Sequence, residues 1–222
     1  MKILVASCDN NADLWEPFRH CMEKYWKFHP EVVYKTETAQ NPYYRTITVN
    51  RPLDEWADGM IEAIDQLNDD VVLLMMDDCF IRRPVDTDRV KYCEEHIGGN
   101  VGMFNMERSF DRQDKACEFE GFVRRTHGSQ YEVSIMCGIW QAEALKTVLR
   151  GCTTPWDVEQ KQQNGGYDFY TNELDDIIDF GYIRTWIPFG VSRGQWCAEV
   201  VPFFEHEGIE VDYSKRGIVY AG

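Results

Sequence analysis

The chain reads as an α/β fold built on a mostly parallel sheet, and three features predict it. Residues 71–76, Val-Val-Leu-Leu-Met-Met, are an unbroken apolar run, the pattern of a strand buried on both faces. Stretches 14–27 and 53–67 repeat apolar residues on the helical period, and they alternate with strand-like segments at 3–7, 32–36 and 71–76. Strand, helix, strand, helix, strand is a βαβ series, for which right-handed crossovers and parallel strands are expected. With 222 residues, the chain is read as a single domain over 1–222, in two halves, 1–104 and 105–222.

The elements follow in order. The first strand, 3–7, ends at Cys8-Asp9-Asn10-Asn11. Trp15, Phe18, Met22, Tyr25 and Trp26 then recur at helical spacing behind Asp13, a candidate cap. Residues 32–36 form a second strand, and 37–45, with Asn41-Pro42, a loop. Leu53, Trp56, Met60, Ile64 and Leu67 keep the helical period, with Pro52 near the first turn, where its missing N–H costs nothing. After the strand at 71–76 come a helix over 86–96, a strand at 101–104 and a mobile loop over 105–117. Strands are expected around 118–123 and 131–136, then helices at 141–150 and 155–162. A polar stretch at 162–167 precedes a late strand near 182–187. The tail carries a helix near 195–206 and a strand or turn near 209–213.

A net charge of −15 argues against broad binding to DNA or anionic membrane, which needs a basic field. Arg82, Arg83, Arg108, Arg112, Arg124 and Arg125 could still form a local basic strip. None of the eight cysteines has Cys-x-x-Cys spacing, so zinc-ribbon and thioredoxin-like sites lack support. No apolar stretch approaches transmembrane length and the N-terminal one is too short for a signal core, so a cytoplasmic protein with reduced thiols and no membrane insertion is expected. Aromatics reach 14%, more than a core needs, which suits a groove for sugar or base faces.

Chemistry concentrates at the strand exits. The run at 71–76 empties into Asp77 and Asp78, at the sheet edge where open α/β folds place ligands. At about 5 Å and an effective dielectric near 20, two such carboxylates repel by roughly 3 kcal/mol. Protonation, a basic partner or a divalent cation relieves that; a polar strand exit with solvated acids is the plain alternative. The first exit, with Ser7 and Asp9, can grip a nucleobase or ribose because a helix N-terminus follows, or it can be a turn capped by Asx side chains. Neither Gly-x-Gly-x-x-Gly nor a P-loop occurs. Carboxylates along one sheet edge suit a cation bridging a diphosphate.

Four segments together resemble the small single-domain GT-A-type glycosyltransferases of bacteria and phages. They are Ile3-Leu4-Val5-Ala6-Ser7-Cys8-Asp9 leading into the first helix, Val72-Leu73-Leu74-Met75-Met76-Asp77-Asp78-Cys79-Phe80, residues 133–159, and the tail from Gly194-Gln195-Trp196 to Lys215-Arg216-Gly217. The resemblance implies a nucleotide-sugar donor held in the first half by Ser7, Asp9, Asp77 and Asp78, and a hydroxyl acceptor in the second, on a surface saccharide or a modified base of phage DNA. It implies that Thr154-Pro155-Trp156-Asp157-Val158-Glu159 borders the acceptor. An inverting transferase needs a carboxylate to take the acceptor proton. Glu159 or Asp157 is the candidate, unless both merely favour the dipole of a helix start. Trp140 and Trp156 are candidate acceptor platforms.

Asp77 and Asp78 are the candidate ligands for Mn²⁺ or Mg²⁺. The adjacent pair departs from the Asp-x-Asp of many such enzymes, and Cys79 in third place is a poor ligand for hard cations. Arg124, Arg125 and His127 could hold the diphosphate instead, or form a solvated hairpin. Rival readings are a non-catalytic carbohydrate-binding protein on the same fold and a metal-dependent phosphohydrolase using the same acids.

Overall fold

The computed structural model describes residues 1–108, 115–129, 131–161, 163–181 and 190–220. The apolar run becomes β4 (Val71–Met76), paired in parallel with β1 (Lys2–Ala6) from Lys2↔Val72 to Ala6↔Met76. Outside β1 lie β2 (Val32–Thr36) and β3 (Arg45–Thr48), both parallel. The alternating Thr-Ile-Thr of β3 ends the expected loop early, burying Ile47 while Thr48 faces out.

On the other side of β4 the sheet turns mixed. β8 (Cys137–Gln141) inserts antiparallel between β4 and β5 (Val101–Arg108). Beyond lie β9 (Asp168–Asn172), parallel to β5, then β7 (Phe122–Arg124) and β6 (Lys115–Ala116). The full order is β3-β2-β1-β4-β8-β5-β9-β7-β6. A boundary at 104/105 therefore cuts β5, and a strand from the second half separates two from the first.

Alternation along the central strands serves two helical layers. Ile3, Val5, Leu73 and Met75 face α1 (Trp15–Tyr25), α3 (Thr87–His96) and α6 (Val201–Glu207). Leu4, Ala6, Val72 and Leu74 face α2 (Trp56–Leu67), α4 (Ala142–Leu149) and α5 (Pro155–Lys161). Asp86 caps α3 by accepting from the Arg89 amide at 3.1 Å. Asp13 caps nothing; it lies in the 3₁₀ turn Asp9–Leu14 that leads into α1.

Four expectations shift. The strand placed at 131–136 forms at 137–141, because Val133 and Ile135 bury their side chains under α5 as irregular chain. The tail helix is only α6; before it runs β11 (Gln195–Cys197), which with β10 (Val191–Ser192) and β12 (Ile218–Val219) makes a small second sheet. The strand or turn expected at 209–213 does not form: 209–212 are irregular and lead into a 3₁₀ turn, Tyr213–Lys215. Residues 105–108 continue β5 and 115–116 form β6, so the expected loop shrinks; its 109–114, Arg112 included, and the late strand at 182–187 lie outside the described residues.

The small sheet is pinned over the β4 exit. Gly190 donates its N–H to the Asp78 carbonyl at 2.7 Å and accepts from Cys197. A Cβ at Gly190 would overlap the buried Phe80 ring, which itself stacks with Trp196 and meets Phe204 edge-on.

Candidate functional site

Asp77 leaves β4 on the α1 face and is 3% exposed. Ser7, at the parallel exit of β1, donates to Asp77 Oδ2 at 2.5 Å, and Asn11 donates to Oδ1 at 3.1 Å. Trp15 donates its indole N–H to Ser7 Oγ at 2.9 Å, so the hydroxyl is oriented from behind. Burial pushes the Asp77 carboxyl above the usual range, against the pull of these hydrogen bonds. Asp9 is spent differently. Its carboxylate accepts from the amides of Glu37, Thr38 and Ala39 and from the Thr38 hydroxyl, while its own N–H donates to Glu37. The first exit is thereby clasped to the second, and Glu37 also pairs with the buried Lys35 at 3.0 Å.

The chain turns directly after Asp77, with Cys79 donating to the Met76 carbonyl at 3.2 Å. Burial raises the Asp78 carboxyl, and the neighbouring charge of Asp77 raises it further. The bend a shared cation would need is present. Both Asp77 oxygens are already engaged, Cys79 is a wholly buried thiol, and no group of three or more His, Cys, Asp or Glu among the described residues is placed to hold a metal. Asp77 and Asp78 are the residues that would hold the expected Mn²⁺ or Mg²⁺, with no third such ligand placed beside them among the described residues.

A residue missed in the sequence stands beside the pair. Arg216, just before β12, donates through Nε and Nη2 to Asp13 at 2.8 and 2.6 Å, and through Nη2 to the Asn10 carbonyl and Asn11 Oδ1 at 2.7 and 2.9 Å. Asn11 thus links the guanidinium to Asp77, and the Arg216 charge lowers both Asp77 and Asp78. The only signal in the sequence was its place in the tail segment that carries the resemblance.

Glu159 lies at the same end of the strands but comes from α5, which packs on the face opposite the one Asp77 leaves. It accepts from the Ile135 amide at 3.2 Å; Ile135 lies two residues before Cys137, which registers with Met75, two residues before Asp77. Burial raises its carboxyl, opposed by that N–H. Asp157 is a cap instead: it accepts from the Thr153 hydroxyl and amide and from the Thr154 amide, which lower its carboxyl. Trp156 is 61% exposed on the first turn of α5. Trp140 is fully buried, registered with Val72 and packed edge-on against Phe169, so it cannot meet an acceptor.

Arg124 and Arg125 do not join the acids. Arg124 lies on β7, four strands from β4 or on the order of 19 Å across the sheet, in a row with Tyr170 and Phe104. The chain beyond it runs away from the acidic edge. Arg124 faces Asp168 at 3.6 Å, Arg125 donates to the Tyr131 carbonyl, and His127 bridges Glu132 at 2.8 Å and Asp168 at 3.1 Å. Acids meet this basic cluster locally, which removes it as a diphosphate site.

No family model matches the chain, and no curated protein matches it in sequence. Among solved structures, residues 1–349 of S. aureus TarS superpose with a TM-score of 0.50 at 11% identity, over 77% of this chain and 59% of that one. The galactosyltransferase LgtC, in complex with donor and acceptor sugar analogues, gives 0.47 at 12% identity over 100% and 87%. The CMP:2-keto-3-deoxy-manno-octonic acid synthetase, complexed with CTP, gives 0.49 at 10% identity over 78% and 89%. No helix among the described residues is long and apolar enough to cross a membrane. With its parallel β3-β2-β1-β4 core, antiparallel β8 and helices on both faces, the chain has the GT-A-like fold of the nucleotide-diphospho-sugar transferases.

Proposed function

We propose that the protein is a glycosyltransferase that moves a sugar from a nucleotide-sugar donor to a saccharide hydroxyl. The observation that carries this is the acid pair at the β4 exit, with Asp77 fixed by Ser7 and Asn11, on a sheet of this topology; Glu159 is anchored to the Ile135 amide in the lead-in to the adjoining strand, on the α5 side. Asp78 faces the donor, where a carboxylate accepts from ribose or sugar hydroxyls, with Asp77 buried behind it. Ser7 and Asp9 act from behind, one fixing Asp77 and the other the 37–39 turn.

Glu159 takes the proton of the acceptor hydroxyl. The acceptor oxygen forms a bond to the anomeric carbon as the bond from that carbon to the diphosphate oxygen breaks, and the electron pair leaves with the nucleoside diphosphate. A carboxylate raised by burial is a better base than an ordinary one. Trp156 offers an exposed face for the acceptor ring. A saccharide is favoured over DNA because the chain carries −15 and its middle-third arginines at 124 and 125 are engaged with an acid and a carbonyl.

A thermal-shift screen of UDP-, GDP-, CMP- and dTDP-sugars tests the reading. Binding at a hundredfold excess over the dissociation constant adds about 2.7 kcal/mol of stability, a clear rise in melting point. The reading is abandoned if none of them shifts the transition.

A further inference from the structure

Arg82 and Arg83, two of the arginines read as a local basic strip, are left over by the acidic edge. The Arg82 N–H donates to the Asp179 carbonyl at 2.8 Å, which seats the residue beside the 179–181 segment. Its guanidinium lies over the Phe203 ring of α6, 4.7 Å from the centroid. Gly181, at a φ of +75°, makes room for it, because a Cβ there would overlap Arg82 Cδ and Nε. Nε is sealed from solvent without a hydrogen-bond partner, whereas Nη1 and Nη2 are not sealed in this way. No carboxylate among the described residues pairs with this cation. Asp179, whose charge reaches it, is spent on Arg83 Nε at 3.0 Å and on the Gly181 N–H at 2.5 Å. Burial pushes the Arg82 guanidinium down, while carboxylates hold those of Arg19, Arg51 and Arg216 up.

A desolvated charge with no counter-ion is costly, and an aromatic face offsets only part of that cost. Shortage of acids does not explain it, since the chain carries 38 Asp and Glu against 23 Lys and Arg. We propose that Arg82 and Arg83 form a second ligand site, beside α6 and the 179–181 segment, that takes a phosphate dianion, free or as the monoester of a small metabolite. The rigid fork of Arg82 is backed by a ring and a glycine, which leaves its Nη pair for two oxygens of one phosphate. Arg83 is 78% exposed and engaged only through Nε among the described residues, so a second cation stands at the same segment. Two guanidiniums suit a dianion better than a single carboxylate. The site is apart from the acid pair. Cys79, Phe80 and Ile81, between Asp78 and Arg82, are buried. The chain there follows α1 from its start, where Trp15 holds Ser7, to its end, where Val85 donates to the Tyr25 carbonyl. Arg82 lies beside Cys21, about 9 Å along that helix from Trp15 at 1.5 Å per residue. The inference therefore stands independently of the transferase reading.

Isothermal titration at constant ionic strength in chloride tests it, with inorganic phosphate, glycerol 3-phosphate and acetate on the intact chain, Arg82→Gln and Arg83→Gln. The intact protein should bind phosphate in preference to acetate. Arg82→Gln should weaken phosphate by about tenfold or more, the loss of a charge-assisted fork. Arg83→Gln should weaken it by about fivefold or less, as suits an exposed partner. Tighter binding of inorganic phosphate than of glycerol 3-phosphate would identify the free ion, and the reverse a monoester; either sustains the site. Melting curves give the second reading. In chloride alone Arg82→Gln should melt no lower than the intact protein, because it removes an uncompensated charge, and added phosphate should raise the transition of the intact protein but not of this variant. Phosphate bound no better than acetate, phosphate bound equally by Arg82→Gln, or a marked fall in that variant's melting point in chloride would overturn the proposal. A donor screen that fails in all three proteins would sink the transferase reading and leave this result standing.

Discussion

The two ends of the central sheet gather ionisable groups in opposite proportions. At the exits of β1 and β4, Asp13, Asp77 and Asp78 collect around Arg216, and burial drives Asp77 and Asp78 toward the protonated form. At the far end, His127 lies between Glu132 and Asp168, Arg124 faces Asp168, and Glu132 is completed by the Gly128 amide and Asn164. The second cluster closes on itself and staples the 126–132 loop to β9. The first leaves Asp77 and Asp78 beside a guanidinium already paired with Asp13, so its acids are not balanced within the protein. Density of charged residues is therefore a poor guide to a ligand site; the balance of partners is the better one.

The largest effect that can break this comparison lies at Glu159. Glu159→Gln should lower kcat by about 10²–10⁴-fold, the usual worth of a positioned general base, with little change in donor affinity. In the intact enzyme kcat should rise with pH as Glu159 loses its proton, over a limb displaced above the ordinary glutamate range by burial. A steady-state pH profile of both proteins checks this. Retention of most of kcat in the variant would remove the acidic edge as the reaction centre.

Glu132→Gln probes the other end. Its side chain is fully buried and accepts from the Gly128 amide at 2.6 Å, from His127 and from Asn164. The amide substitute turns donors toward donors, so stability should fall by about 1–3 kcal/mol, read as a lower urea midpoint. Nucleotide affinity should stay where it was. A matching loss of donor binding would mean that the two ends are not functionally distinct.

How much of this was legible depends on whether the determining contacts are local. Strands 32–36 and 71–76 follow from apolar runs, and α2 and α4 from period 3.6, because each pattern is written within one element. Val133 and Ile135 alternate like a strand, yet the segment is held by Glu159, a partner 24 residues away that the alternation does not encode. The acid pair could be placed at a strand exit from the apolar run alone. Arg216 could not be placed, because its partners Asp13 and Asn11 are more than 200 residues distant. Trp140 was assigned by residue type, and only its register opposite Val72 puts it in the core.

Glu207 sharpens the rule with a carboxylate of the opposite kind. Burial alone would raise it, but hydrogen bonds from Lys24, Tyr25 and His206 win and hold it at about 2. A depressed folded value contributes stability that is present above the ordinary glutamate range, near pH 4.3, and lost as pH falls toward about 2. Glu207→Gln should therefore cost about 1–2 kcal/mol at neutral pH, discounted because Lys24 is half exposed, and should flatten acid unfolding between those limits. Melting curves across pH 2–7 give the comparison. An unchanged acid limb in the variant would place the acid sensitivity elsewhere.

The smallest effect separates the two acids of α5. The Asp157 carboxylate is consumed by Thr153 and Thr154 at the helix start, and it is fully solvated otherwise. Asp157→Asn keeps one acceptor oxygen and loses the charge, so the loss of stability should be slight, a small fall in the urea midpoint, because Thr154 still accepts from the amide of residue 157 at the helix start. Any fall in kcat should stay within about tenfold, since α5 still carries Glu159 against the Ile135 amide. The pair of variants, measured side by side, ranks the candidates directly. If Asp157→Asn removed more of kcat than Glu159→Gln, the base would be the exposed acid and the buried one its support.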